Sequence, residues 1–155
     1  MSQPELFPDI PTIDRTPLID WLRSKTCEHD IFHEFAETGS HRFFGEGEDR
    51  DFLVCFDDIP AHLQPLVPQS EVDPDYDESM CVVQDDTNPL GKVDYIIASR
   101  NRTREFEFAT VKFCAIKNDP VVDGSVWQML KDCKPLRVAV FRALRRAFPT
   151  STLDH

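Results

Sequence analysis

Gly39-Ser40-His41-Arg42-Phe43-Phe44-Gly45-Glu46-Gly47-Glu48-Asp49-Arg50-Asp51-Phe52-Leu53-Val54 is the stretch that decides how this chain is read. Its end, continued by Cys55 and Phe56, is a short run of aromatic and branched residues that predicts a buried strand over residues 51–56. Asp49 and Asp51 open that strand. Side chains two apart on a strand point to the same side, so both carboxylates are expected at one spot on the sheet edge. Such a pair repels itself unless a cation sits between. Mg²⁺ takes one or two protein carboxylates and completes its shell with water and substrate phosphates.

Upstream, residues 31–38 alternate imperfectly between apolar and polar and predict a strand that runs into a turn at Gly39-Ser40. Residues 41–44 predict one or two helical turns, and 45–48 a glycine-rich loop. A glycine allows close backbone approach, and exposed amides at a helix start bind phosphate. The Ser40 hydroxyl would add a hydrogen bond to the same group, and Arg42 would pair with a phosphate oxygen.

Downstream, residues 57–79 hold four prolines and seven acids and read as a loop, with a short helix over 59–66. Strands are expected at 80–84 and 92–99, separated by a turn cluster at 85–89. Asp94 lies inside the second of these apolar strands. A carboxylate there is costly unless it is paired or bound to metal, which makes it the candidate third acid. Residues 100–104 read as a basic connection, 106–116 as a helix, and 126–130 and 136–148 as closing helices. Lys112, Lys134 and Arg137 offer further positive charge, unplaced by the sequence. Arg145 and Arg146 fall near the end of the last helix, where they complement its dipole.

At the start of the chain, Pro4, Pro8, Pro11 and Pro17 forbid a long helix. Residues 1–16 therefore read as an extended leader, and Thr16 as the N-cap of a helix with Pro17 in its first turn. The organisation expected is leader 1–16, one domain over 17–149 and a tail over 150–155. The element order is helix, strand, short helix, three strands, then helices. It predicts an α+β (α/β) fold, a small mixed β-sheet with flanking helices.

Composition sets the outer limits. With 155 residues, 41% of them apolar, the chain can build one core. No run approaches the roughly 18 apolar residues that span a bilayer, and the N-terminus lacks a signal-peptide pattern. The expected compartment is the cytoplasm. The five cysteines are odd in number and contain no Cys-x-x-Cys, which argues against a zinc site; Cys55 and Cys114 read as small buried hydrophobes. The net charge of −11 is unevenly spread. Residues 46–94 carry 14 acids against Arg50 and Lys92, whereas 95–149 carry 11 Lys or Arg against five acids. An acidic half that collects divalent metal and a basic half that collects phosphate is one reading; two solvated faces is the plainer one.

Taken together, Gly39-Ser40, then Asp49-x-Asp51 entering an apolar strand, then Asp94 on a later strand resemble the signature of the DNA polymerase beta-like nucleotidyltransferase superfamily, especially its minimal members. The resemblance covers residues 31–56 and, more loosely, 92–99. One departure is Arg50, which stands where an apolar residue is common between the acids. The resemblance implies a nucleotidyltransferase-like fold and transfer of a nucleoside monophosphate from a nucleoside triphosphate to an acceptor (RNA, protein or a small molecule), with release of pyrophosphate. It implies Mg²⁺ or Mn²⁺ held by Asp49, Asp51 and Asp94, with Asp94 also placed to activate the acceptor. Gly39, Ser40 and Arg42 would hold the triphosphate. Two other readings fit the same residues. One is a noncatalytic member of that fold binding a nucleotide or a protein, motivated by Arg50 and the acidic segment 71–86. The other is an acidic interaction protein that imitates nucleic acid through residues 46–94.

Overall fold

A computed structural model describes residues 13–26, 35–47, 49–68 and 80–149. Helix α1 (Thr16–Ser24) leads into strand β1 (Ala36–Thr38), helix α2 (Gly39–Phe44) and strand β2 (Asp49–Cys55). Strands β3 (Met80–Asn88) and β4 (Gly91–Ala98) follow, then helices α3 (Arg100–Ile116), α4 (Gly124–Asp132) and α5 (Lys134–Arg146). The four strands form one sheet in the order β1-β2-β4-β3. β2 and β4 are parallel, and the other two pairings are antiparallel. This is the expected α+β architecture, a small mixed sheet with flanking helices.

The two faces of the sheet differ because strand side chains alternate. Phe52 and Val54 of β2 and Val93, Tyr95 and Ile97 of β4 form one buried face, covered by Leu18 and Leu22 of α1. Leu53, Ile96 and Ala98 form the other, against Phe106 of α3. Fully burying a leucine contributes about 1.5–3 kcal/mol, so Leu18 and Leu22 alone justify keeping a nine-residue helix on the first face. Helix α5 packs beside α3 through an aromatic cluster in which Phe141 meets Phe43, Phe106 and Phe113.

Several boundaries fall elsewhere than the sequence suggests. Residues 31–34 of the first expected strand lie outside the described residues, and β1 keeps only its last three positions. Gly39 and Ser40 are already the first turn of α2, entered through a left-handed Gly39 at φ +82°. The short helix expected at 59–66 is replaced by two 3-10 turns, Phe56–Asp58 and Gln64–Leu66, because Pro60 and Pro65 interrupt any longer helical ladder. Thr16 is inside α1 rather than its cap; its amide donates to Asp14 Oδ1 at 3.0 Å. Residues 100–104 are helical, not a connection. Ser99 Oγ accepts from the Arg102 amide, and Asp58 and Glu105 pair with Arg100 and Arg102, offsetting the cost of basic groups at a helix N-terminus.

The expected turn at 85–89 is the largest correction. Strand β3 continues to Asn88 across an irregularity, and only Pro89-Leu90 turn. Asp85 is 3% exposed. It accepts from Arg23 of α1 through both oxygens, at 2.6 Å each, and from Asn88 Nδ2 at 3.0 Å. Asn88 Nδ2 also donates to Tyr95 Oη, which bonds Thr26 Oγ1 at 2.8 Å. These partners overturn the local turn preference and tie α1 to the hairpin. Burial alone would raise the Asp85 carboxyl; the Arg23 and Asn88 hydrogen bonds override it and hold it below its ordinary value of 3.8. A depressed carboxyl contributes stability in full above that value and loses it as the pH falls below. Asp85→Asn is accordingly expected to cost about 3 kcal/mol at pH 7, as for breaking a shielded ion pair. The deficit should shrink below pH 4 in urea unfolding curves recorded across pH; an unchanged midpoint at neutral pH would show that the pair is idle.

Candidate functional site

Parallel pairing of β2 with β4 sets Asp51 beside Asp94 in register, and strand alternation puts Asp49 on the same side. The three acids line a cleft of about 430 Å³ on the α3 side of the sheet. Thr38, Gly39 and Ser40 border it at the start of α2, and Lys134, Arg137, Arg142 and Arg145 of α5 form its opposite wall. Three acids from the acidic half of the sequence and four cations from the basic half thus line one cavity.

The backbone around the acids is tightly specified. A side chain on Gly39 would collide with Asp51 Oδ2, and the positive φ there already favours glycine. Gly47 is likewise close, since a Cβ on it would lie 3.0 Å from Ser40 Oγ. Thr38, at the end of β1, is buried. Its hydroxyl bonds Thr110 Oγ1 at 2.7 Å. Because Thr110 spends its one proton on the Phe106 carbonyl, Thr38 is the donor in that bond. The start of α2 is therefore fastened to α3.

The carboxylates feel one another. Burial, reinforced by Asp94, Asp49 and Glu37, raises the Asp51 carboxyl to about 7. Asp94 is raised by burial and by the charges of Asp49 and Asp86. Among the described residues, no three His, Cys, Asp or Glu side chains close into a ready-made metal cage. An octahedral Mg²⁺ does not demand one, because it keeps waters and takes substrate oxygens. The donor set consists of hard carboxylate oxygens in mutual repulsion, which fits Mg²⁺ or Mn²⁺ and suits neither zinc nor soft metals.

The structure brings Gly39, Ser40, Asp49, Asp51 and Asp94 together and leaves Arg42 out. Arg42 turns from the cleft and donates to Cys114 Sγ on α3 at 3.3 Å. Cys114, expected to be buried, is only partly so, whereas Cys55 is buried as expected. Lys112 also lies elsewhere, over the ring of Phe108. Arg50 sits on the opposite face of the sheet from its two acidic neighbours. There it makes a two-pronged ion pair with Glu37, at 2.9 and 2.8 Å.

Sequence reasoning missed Arg142 and Arg145 as cleft residues. A signal existed: Lys134, Val138, Phe141, Arg142 and Arg145 recur at three- and four-residue steps and share one helix face. What the sequence lacked was the direction of that face. Compared with known proteins, the chain matches no family model, no curated protein and no solved structure. Among the described residues, no helix is long and apolar enough to cross a membrane. The fold and cleft therefore define a class by geometry alone, an α+β protein with three acids facing a cationic helix.

Proposed function

We propose that this protein is a metal-dependent nucleotidyltransferase, moving a nucleoside monophosphate from a nucleoside triphosphate to an acceptor with release of pyrophosphate. The observation that carries the reading is the meeting of Asp49, Asp51 and Asp94 on two parallel strands, directly beside the Gly39-Ser40 turn. The resemblance of residues 39–54 to the nucleotidyltransferase signature supports it.

Bound Mg²⁺ or Mn²⁺ would neutralise the triphosphate and the oxygens of an in-line displacement. Asp49, Asp51 and Asp94 are the residues that would hold it. The chain's own part is to bind and orient. Gly39 keeps the backbone flat enough for a phosphate to approach, and Ser40 supplies a hydroxyl donor at the same place. Asp94, whose carboxyl is raised by burial and by the charges of Asp49 and Asp86, would accept the acceptor's proton. Lys134 adds positive charge from the facing helix.

The noncatalytic reading drew on Arg50 and on the acidic segment 71–86; Arg50 is accounted for by Glu37 on the far face of the sheet, and residues 71–79 lie outside the described residues. The mimicry reading drew on acids that include Asp85, which is paired inside the fold. Those two pairings favour the catalytic reading over both alternatives. The test is incubation with each labelled nucleoside triphosphate and Mg²⁺ or Mn²⁺, with RNA, protein and small-molecule acceptors. Label should pass to one acceptor, and Asp94→Asn should slow it about a hundredfold or more, as for loss of one preorganised charged group. Nucleotide binding with no transfer would establish the noncatalytic member instead. No nucleotide binding, with salt-sensitive capture of a basic partner, would establish mimicry.

A further inference from the structure

Arg145 is a tightly held cation at the cleft wall. Its side chain is 13% exposed, and its Nε donates to Glu105 Oε1 at 2.9 Å. Its guanidinium carbon lies 4.4 Å from the centre of the Phe106 ring. Glu105 is itself only 7% exposed, and its other oxygen accepts from Arg102 Nη1 at 2.7 Å. One carboxylate thus serves two arginines. The two terminal nitrogens of Arg145 have no hydrogen-bond partner among the described residues, although the residue lines the cleft. Donors fixed at a cleft wall without a protein partner are available to a ligand. A planar guanidinium with its outer edge free matches the oxygens of a phosphate.

The geometry points to Arg145 as a phosphate-binding residue on the α5 wall, with Glu105 and Phe106 as positioning residues that fix its plane. This deepens the nucleotidyltransferase reading and rests on it only for the source of the phosphate, which is either the triphosphate of the nucleotide or a phosphodiester of the acceptor. Binding itself requires no transfer.

Glu105 gives the test an unusual sign. If it acted through its charge alone, Glu105→Gln would remove a negative group and strengthen binding of an anion. If it holds Arg145 in place, the same change weakens binding, because the two arginines use different oxygens of Glu105 and glutamine turns an NH2 donor towards one of them.

The experiment is calorimetric titration of the full chain with inorganic tripolyphosphate, and separately with a short single-stranded oligonucleotide lacking a triphosphate, with and without Mg²⁺. Arg145→Ala should weaken binding of at least one probe about ten- to hundredfold, as for a lost charged hydrogen bond. Arg145→Lys should recover part of it, and Glu105→Gln should weaken it with the near-ultraviolet circular dichroism unchanged. Loss confined to tripolyphosphate assigns the site to the nucleotide; loss confined to the oligonucleotide assigns it to the acceptor. Tighter binding by Glu105→Gln, or wild-type binding of both probes by Arg145→Ala, overturns the proposal. A transfer assay on the wild-type protein, run beside the titrations, separates the two readings. Arg145-dependent binding without transfer by the wild-type protein would sink only the enzyme, and transfer with Arg145-independent binding would sink only this site.

Discussion

Asp51→Asn should abolish nucleotidyl transfer and, in the absence of divalent metal, make the protein more stable at pH 8 than the wild type. The two effects share one origin. Burial and the neighbouring acids raise the Asp51 carboxyl from 3.8 to about 7. An acid whose folded value is raised binds its proton more tightly when folded, so stability declines as pH rises from the unfolded value towards the folded one. Each unit corresponds to about 1.4 kcal/mol, which makes the full penalty about 4 kcal/mol at and above pH 7. Asparagine keeps the shape and removes the charge. Its advantage should be near zero at pH 4, grow through pH 5 and 6, and level off above 7. Mg²⁺ should raise the melting temperature of the wild type and leave that of Asp51→Asn nearly unmoved, since a ligand stabilises only the state that binds it. Thermal melts at five pH values, with and without Mg²⁺, decide the matter. A variant less stable than wild type at pH 8 without metal would mean that the acids do not repel and that no cation is called for. Loss of activity with gain of stability is the pattern expected where a site is strained to do chemistry.

Much of this site was legible because strand periodicity is a strong constraint. The apolar run 52–55 places β2, and the two-residue step from Asp49 to Asp51 then fixes which side both carboxylates take. Asp94 was legible as an acid inside an apolar strand, where burial without a partner is expensive. What stayed hidden depends on contacts between distant segments. Asp85-Asp86-Thr87-Asn88-Pro89 carries every local mark of a turn, and only Arg23, 62 residues away in sequence, draws Asp85 into the sheet. Arg42 shares a short helix with Ser40 yet points to Cys114, because nothing in a six-residue helix announces which side will face the ligand. The basic face of α5 could be counted, but its position opposite the acids follows from packing on α3 through Phe141 and Phe106. Arg50 shows the same limit in reverse. It looked like a departure within the acidic pair, whereas alternation turns it to the other face and Glu37 accounts for its charge.

Gly39→Ala should abolish transfer as completely as Asp51→Asn does, but with the opposite effect on the fold. Gly39 holds φ at +82°, a conformation that costs an L residue about 1–2 kcal/mol. Gly45, at φ +73° after α2, imposes a similar cost. The two glycines differ in what surrounds them. Nothing lies within 4 Å of a Cβ built on Gly45, whereas one built on Gly39 meets the Asp51 carboxylate. Gly45→Ala therefore carries the backbone strain alone and should keep its transfer rate. Gly39→Ala carries the same strain and also displaces Asp51 or distorts the first turn of α2. Either outcome separates the Gly39-Ser40 backbone, the proposed phosphate site, from the acids. Its stability should fall below that of Gly45→Ala, while Asp51→Asn without metal rises above wild type. The double variant Gly39→Ala/Asp51→Ala removes the colliding carboxylate and should regain the stability lost to the collision, though not the activity. Urea midpoints for the four proteins, set beside their transfer rates, test whether the close approach of this turn to Asp51 is what the site is built around. Equal activity in Gly39→Ala and Gly45→Ala would show that it is not.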